Sequence, residues 1–168
     1  MANHGENLLE WLRDAHAMKQ QAARMLRVQS ERVVHYPKLR ARIEQHMHET
    51  LGQLRLLEGC IDRQGGKTSG LKDAIGKVMA FGRGACGALR PDEVVQGAIS
   101  SYAFGHLQIA TYTALVAAAK TVGDVETLRI CERILSEERT MAAWMLQHLP
   151  ELTEEFLLRD AAGFEAKG

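Results

Sequence analysis

At 168 residues, with 46% hydrophobic and 25% charged residues and 3 prolines, the chain has the size and composition of one globular domain that buries its core without disulfides or a structural metal. Lysine plus arginine equals aspartate plus glutamate at 21 each, so no net field draws the chain to nucleic acid or to an anionic membrane. Cys60, Cys86 and Cys131 are far apart with no CxxC pair, which argues against a disulfide framework or zinc knuckle and for reduced thiols in a cytoplasmic protein.

The opening residues, Met1 to Asn7, show no basic stretch followed by an apolar run, so no secretory signal is expected. A first helix is predicted from about Glu6 to Gln29, where Leu8, Trp11, Leu12, Ala15, Met18, Ala22, Met25 and Leu26 recur at helical spacing. Pro37, tolerated in a first helical turn, opens the second, which carries Leu39, Ile43, Met47, Thr50, Leu54, Leu57 and Ile61 and stops at Gly65-Gly66. The basic run Lys38-Leu39-Arg40-Ala41-Arg42 alternates with apolar residues and reads as a solvated helix face.

Glycines punctuate the stretch from Ser69 to Leu89, but Leu71, Ile75, Val78 and Met79 keep helical spacing, so a short extra helix within a crossover is expected. Gly82 to Gly87 lacks the preceding strand and the spacing of a nucleotide-binding loop. A third helix starts at Pro91-Asp92-Glu93 and ends at Gly123. Its greasiest part, Ile109 to Ala119, carries Thr111, Tyr112 and Thr113, and no segment has the unbroken apolar length of about 20 residues that a membrane span needs. Asp124 is placed to cap a fourth helix striped by Leu128, Cys131, Ile134, Leu135, Glu138, Met141, Ala142 and Met145. Pro150 is expected to end it, with a short acidic tail helix over Glu151 to Asp160.

Two helical hairpins joined by a longer crossover define an all-α chain, an antiparallel four-helix bundle of the ferritin-like arrangement. The bundle is expected over about residues 6–149 and the tail over 150–168, as one domain across 1–168. Polar residues interrupt the stripes near mid-helix: Lys19 on the first, His46 and Glu49 on the second, Gly105 and Gln108 on the third, Glu138 on the fourth. Mid-helix positions of an antiparallel bundle meet at one level, where carboxylates and imidazoles suit a pair of metal ions. The inventory falls short of such a centre, since only His46, Glu49 and Glu138 are ligand types and Lys19 contributes an ammonium. Competing structural readings make Glu49 an edge residue reaching water and His46 a hydrogen-bonded core histidine. His48, His106 and Glu137 are read as surface residues, and no nucleophile sits on a glycine-flanked elbow.

Trp11-Leu12-Arg13-Asp14-Ala15-His16-Ala17-Met18 resembles the YciE branch of the YciE/YciF ferritin-like family, as does Leu39-Arg40-Ala41-Arg42-Ile43-Glu44-Gln45-His46 with Glu49-Thr50. Ile109-Ala110-Thr111-Tyr112-Thr113 and Leu135-Ser136-Glu137-Glu138 extend the likeness over four helices in order. The resemblance implies a ferritin-like bundle, commonly a homodimer, in bacterial cytoplasm and associated with stress, able to hold two metal ions between its helices. Glu49, Glu138 and His46 match the family's acids and histidine. Lys19 stands where the family has Glu, Gly105 and Gln108 where it has two, and Ala142 and Ala143 where relatives place an Asp.

The expectation is therefore a degenerate metal site, with the Lys19 ammonium between Glu49 and Glu138 in place of metal charge. That makes the chain a non-catalytic, ferritin-like stress-associated protein, with a structural role or a metal-competent paralogue as partner, and with no cofactor. The alternative is a metal-binding stress-response protein holding one iron or manganese ion on His46, Glu49 and Glu138.

Overall fold

A computed structural model describes residues 4–67 and 93–164. Four helices account for nearly all of them: α1 (His4–Arg32), α2 (Pro37–Arg63), α3 (Glu93–Val122) and α4 (Val125–Ala161). The short helix expected within Ser69 to Leu89 and the thiol of Cys86 lie outside the described residues.

The breaks follow from backbone chemistry. Pro37 occupies the first turn of α2, where its missing N–H costs no helical bond. At the far end Gly65 turns left-handed (φ 71°), and the Gly66 N–H donates to the Ile61 carbonyl at 3.0 Å, satisfying a helix-end acceptor. Gly123 (φ 77°) closes α3 in the same way, with the Asp124 N–H donating to the Ala119 carbonyl at 3.0 Å. Asp124 then caps α4, accepting from the Thr127 N–H at 3.0 Å and from Gln64 Nε2 at 2.7 Å, so one carboxylate ties the two hairpins together. Burial alone would raise that carboxyl; the hydrogen bonds from Thr127 and Gln64 and the charge of Arg63 hold it below the ordinary carboxylate range.

Each helix packs on two neighbours, in the ring α1–α2–α4–α3. His16 meets Glu58 across α1–α2, Gln29 meets Ser101 across α1–α3, and Lys38 meets Glu151 across α2–α4. These pairings make every neighbouring pair antiparallel and place α2 and α3 parallel on the diagonal. The connection between them therefore joins opposite ends of the bundle, the ferritin-like topology with one long crossover.

Two apolar clusters fill the interior. Leu8, Leu12, Leu57, Ile61, Leu115 and Ile134 anchor the end near the hairpin turn at Gly123. Tyr36, Leu39, Ile43, Met145, Leu152 and Phe156 anchor the opposite end. The second cluster corrects the reading of Pro150 as a stop. α4 continues through it for 37 residues, with no separate tail helix, because Leu152 and Phe156 are buried against the α1–α2 turn. Proline removes one helical N–H at that point; the buried Leu152 and Phe156 hold the helix beyond it, and Lys38 meets Glu151 at 2.9 Å on the surface.

Candidate functional site

Between the two apolar clusters the four helices bring polar groups together. α1 supplies Lys19, whose side chain is 0% exposed, and α4 supplies Glu138 at 1%. Their charged ends form a direct ion pair, Lys19 Nζ to Glu138 Oε1, with Nζ also 5.2 Å from the centre of the Tyr112 ring on α3. Glu138 Oε2 faces His46 Nε2 of α2 at 3.5 Å, at the outer limit of hydrogen-bond distance. The other ring nitrogen, His46 Nδ1, lies 2.9 Å from Glu49 Oε2. Glu49 also accepts from Gln45 Nε2 at 3.0 Å and sits 3.6 Å from the Arg42 guanidinium.

The electrostatics follow from burial. Burial would push the Glu138 carboxyl up, but the Lys19 ammonium and His46 outweigh it and hold the carboxyl at about 2. The same burial pulls the Lys19 ammonium down from 10.5, against the attraction of Glu138. Tyr112 is driven well above its ordinary value by burial and by the negative charge of Glu138. Each partner's charge thus favours the ionised form of the other against the cost of burial.

A cavity of about 30 Å3, room for a water or two, adjoins the pair. His46, Gln108 and Glu138 line it, together with Gly105, Ala142 and the methionines Met25, Met141 and Met145. Gln108 Oε1 and Glu138 Oε2 are buried without hydrogen-bond partners. A Cβ built on Gly105 meets nothing nearer than the Ala142 Cβ at 4.0 Å. The cavity thus occupies the space where side chains at 105 and 142 would reach inward. Ala143 is exposed on the outer face of α4.

A di-metal carboxylate centre does not fit this donor set. An ammonium stands on Glu138, and Gly105 and Ala142 supply no donor atom. Among the described residues no group of three His, Cys, Asp or Glu side chains is placed to hold an ion. His46, Glu49 and Glu138 are adjacent, yet Glu49 and Glu138 approach opposite nitrogens of one imidazole, so the three do not converge on one point. The Lys19 ammonium pairs with Glu138 alone, and Glu49 joins the cluster through His46 and Arg42 rather than directly.

Two placements, those of Arg42 and Glu137, differ from the sequence reading, and His16 received no placement there. Arg42, assigned to a solvated face, is 9% exposed; its spacing of four from His46 and seven from Glu49 on the α2 stripe carries that signal. Glu137 is partly buried, accepting from Gln53 Nε2 at 2.7 Å and from Arg133 Nε at 3.0 Å. His16 is buried with Nε2 3.1 Å from Glu58 Oε1. His48 and His106 lie on the surface as expected.

Fold and site together define a ferritin-like four-helix bundle with an ion pair at its centre. Residues 3–158 match the family described as Domain of unknown function (DUF892), and the chain belongs to that family. A protein from Xanthomonas campestris pv. campestris is similar at 36% identity over 95% of this chain and 99% of its own, with a TM-score of 0.80. A ferritin-like, diiron-carboxylate protein from Bacillus anthracis shares the fold at 15% identity, over 89% of this chain and 99% of its own, TM-score 0.72. So does the E. coli stress protein YciF, at 16% identity over 89% and 96%, TM-score 0.69. The YciE/YciF resemblance and the all-α bundle class agree with these likenesses. No helix among the described residues is long and apolar enough to cross a membrane.

Proposed function

We propose that this chain is a non-catalytic, stress-associated ferritin-like protein in which an ion pair replaces the inter-helix metal centre. The observation that carries the reading is the Lys19–Glu138 pair, buried at mid-bundle between four helices. An ammonium there neutralises a carboxylate that would otherwise be buried uncompensated, the role a metal ion fills in a carboxylate bundle. His46 and Glu49 are engaged with each other at 2.9 Å, and Gly105 and Ala142 supply no donor atom. A stress role and a cytoplasmic setting rest on the shared fold with YciF and on the family resemblance.

A second copy is the proposed partner. Between Val94 and Ala119 α3 contains no Asp, Glu, Lys or Arg, yet it exposes Ile99 (43%) and Leu107 (36%). Such a face meets no like-charge repulsion from its own copy. A paralogous ferritin-like chain would suit the same face.

Rebuilding the missing carboxylates tests the central reading. Lys19→Glu, Gly105→Glu and Gln108→Glu together place acids on α1 and α3 beside Glu138, and the open space at residue 105 accommodates one of them. The triple variant is expected to gain manganese affinity that the parent lacks, read by calorimetric titration. Equal, tight manganese binding by the parent would overturn the reading.

A further inference from the structure

Among the described residues α3 differs from the other helices in its outer face. α1 exposes Arg24 and Arg27, α2 exposes Arg40 and Arg55, and α4 exposes Glu132 and Arg139. α3 has no Asp, Glu, Lys or Arg from Val94 to Ala119. Its inner side packs in the core through Val94, Ala98, Phe104, Tyr112, Leu115 and Ala119. A helix without charge on any side belongs in an interior, yet one side of α3 faces outward.

The residues exposed there form a seam. Ile99, Ala103, His106, Ala110, Thr113 and Ala117 follow one another at alternating steps of four and three, the spacing by which one helix meets another along its length. Leu107 and Ala114 are exposed beside them.

The seam also has a direction. Its uncharged run is bounded in the sequence by Asp92-Glu93 at the start and by Lys120 at the end. Two copies laid parallel would set acid beside acid and base beside base. Laid antiparallel about the midpoint of the run, between His106 and Leu107, the acidic end of each copy meets Lys120 of the other. In that register Ile99 stands opposite Ala114 of the second copy, large against small, and Ala103 opposite Ala110, where two methyl groups let the backbones approach closely.

We infer that the outer face of α3 is the seam of a two-fold dimer, in which α3 lies antiparallel to α3 of a second copy with the axis between His106 and Leu107. The inference rests on the second copy proposed above as partner and adds the direction, register and axis of the contact. Because the same face is used by both chains, assembly closes at two.

The test uses the full chain in two measurements. Light scattering is expected to give twice the chain mass of 18.7 kDa; a monomer overturns the partner reading and the seam together, and leaves a paralogous chain as the occupant to seek. The register is read with Ala103→Cys and Ala110→Cys in one chain, in a Cys86→Ser background, with Cys60 and Cys131 buried. Mild oxidation is expected to yield a covalent dimer in which peptide mapping joins position 103 of one chain to position 110 of the other. Seven residues along one helix span about 10 Å, too far for a disulfide within the chain. Links of 103 to 103 and 110 to 110 would mean a parallel pair, and a dimer with no link through α3 would mean another face. Either result overturns the inference while the second copy stands as partner. Leu107→Asp places two carboxylates beside the axis and is expected to weaken association by about a hundredfold or more with the circular dichroism unchanged. Lys120→Glu should weaken it by about tenfold at low salt, a difference that shrinks in about 0.5 M salt. An unchanged dimer in the Leu107→Asp protein also overturns the seam; should that variant fail to fold, the cross-linked positions still decide.

Discussion

Replacing Lys19 by Met removes the ammonium and keeps most of the side-chain volume. In the parent, the Glu138 carboxyl moves from 4.5 in the unfolded chain to about 2 in the fold. That change is worth about 3 kcal/mol at neutral pH, at about 1.36 kcal/mol for each pH unit. The sign follows from the direction: a carboxyl depressed by folding stabilises the fold above its unfolded value and loses that contribution as the pH falls from 4.5 towards 2. Lys19, pulled down by burial, gives part of it back at every pH below its unfolded value. With the ammonium gone Glu138 is left buried and uncompensated, and Lys19→Met is expected to cost about 3–5 kcal/mol near neutral pH. Burial now raises the Glu138 carboxyl, so the variant protonates it on mild acidification and its disadvantage shrinks towards about pH 4. Adding Glu138→Leu removes the second charge, and the double variant should recover the parent's stability or exceed it. Urea unfolding followed by far-UV circular dichroism, at one protein concentration because self-association would shift the midpoint, measures all three. A Lys19→Met protein as stable as the parent, or a loss independent of pH and not rescued by Glu138→Leu, would refute the reasoning.

Other expectations follow from the same structure. Pro150→Ala restores a helical N–H at an exposed position in the C-terminal third of α4 and should stabilise the protein by about 1–3 kcal/mol, read as a higher urea midpoint. Asp124→Ala removes the cap of α4 and the acceptor of Gln64, with an expected cost of about 1–2 kcal/mol at neutral pH. That cost should diminish in acid, because the parent's depressed carboxyl loses its own contribution as the pH falls through the carboxylate range. Gly123→Ala forces a side chain onto φ 77° and should lower stability by about 1–2 kcal/mol in a thermal melt. Cys60 and Cys131 are both buried, and burial pushes the Cys131 thiol up to about 12. In a thiol-counting assay with an aromatic disulfide neither should react until the protein is unfolded.

Helical periodicity, Pro37, the glycines at 65 and 123 and the Asp124 cap were legible because each is a local signal with a local cause. Pro150 misled for the converse reason. The cluster that carries α4 past it joins Leu152 and Phe156 to Tyr36 and Leu39, residues more than a hundred positions away. The polar members of the site were visible as interruptions of apolar stripes, and their meeting at one level follows from antiparallel packing. Their partners were not. Periodicity places Glu49 and Lys19 at the same depth, but only side-chain geometry shows that Glu49 turns to His46 and Arg42, leaving Glu138 to Lys19. Arg42 was hidden in a basic run, where a charge that snorkels and one that pairs look alike. The methionine-lined cavity combines residues from α1 and α4 with His46 of α2, and such a combination has no signature in any one helix.

The most direct test of an ion pair in place of a metal centre is the iron and manganese content of the full chain, purified from supplemented cultures without chelators and measured by plasma mass spectrometry. An ion pair at Lys19 and Glu138 predicts iron and manganese well below one ion per chain. Two tightly held ions per chain would contradict it.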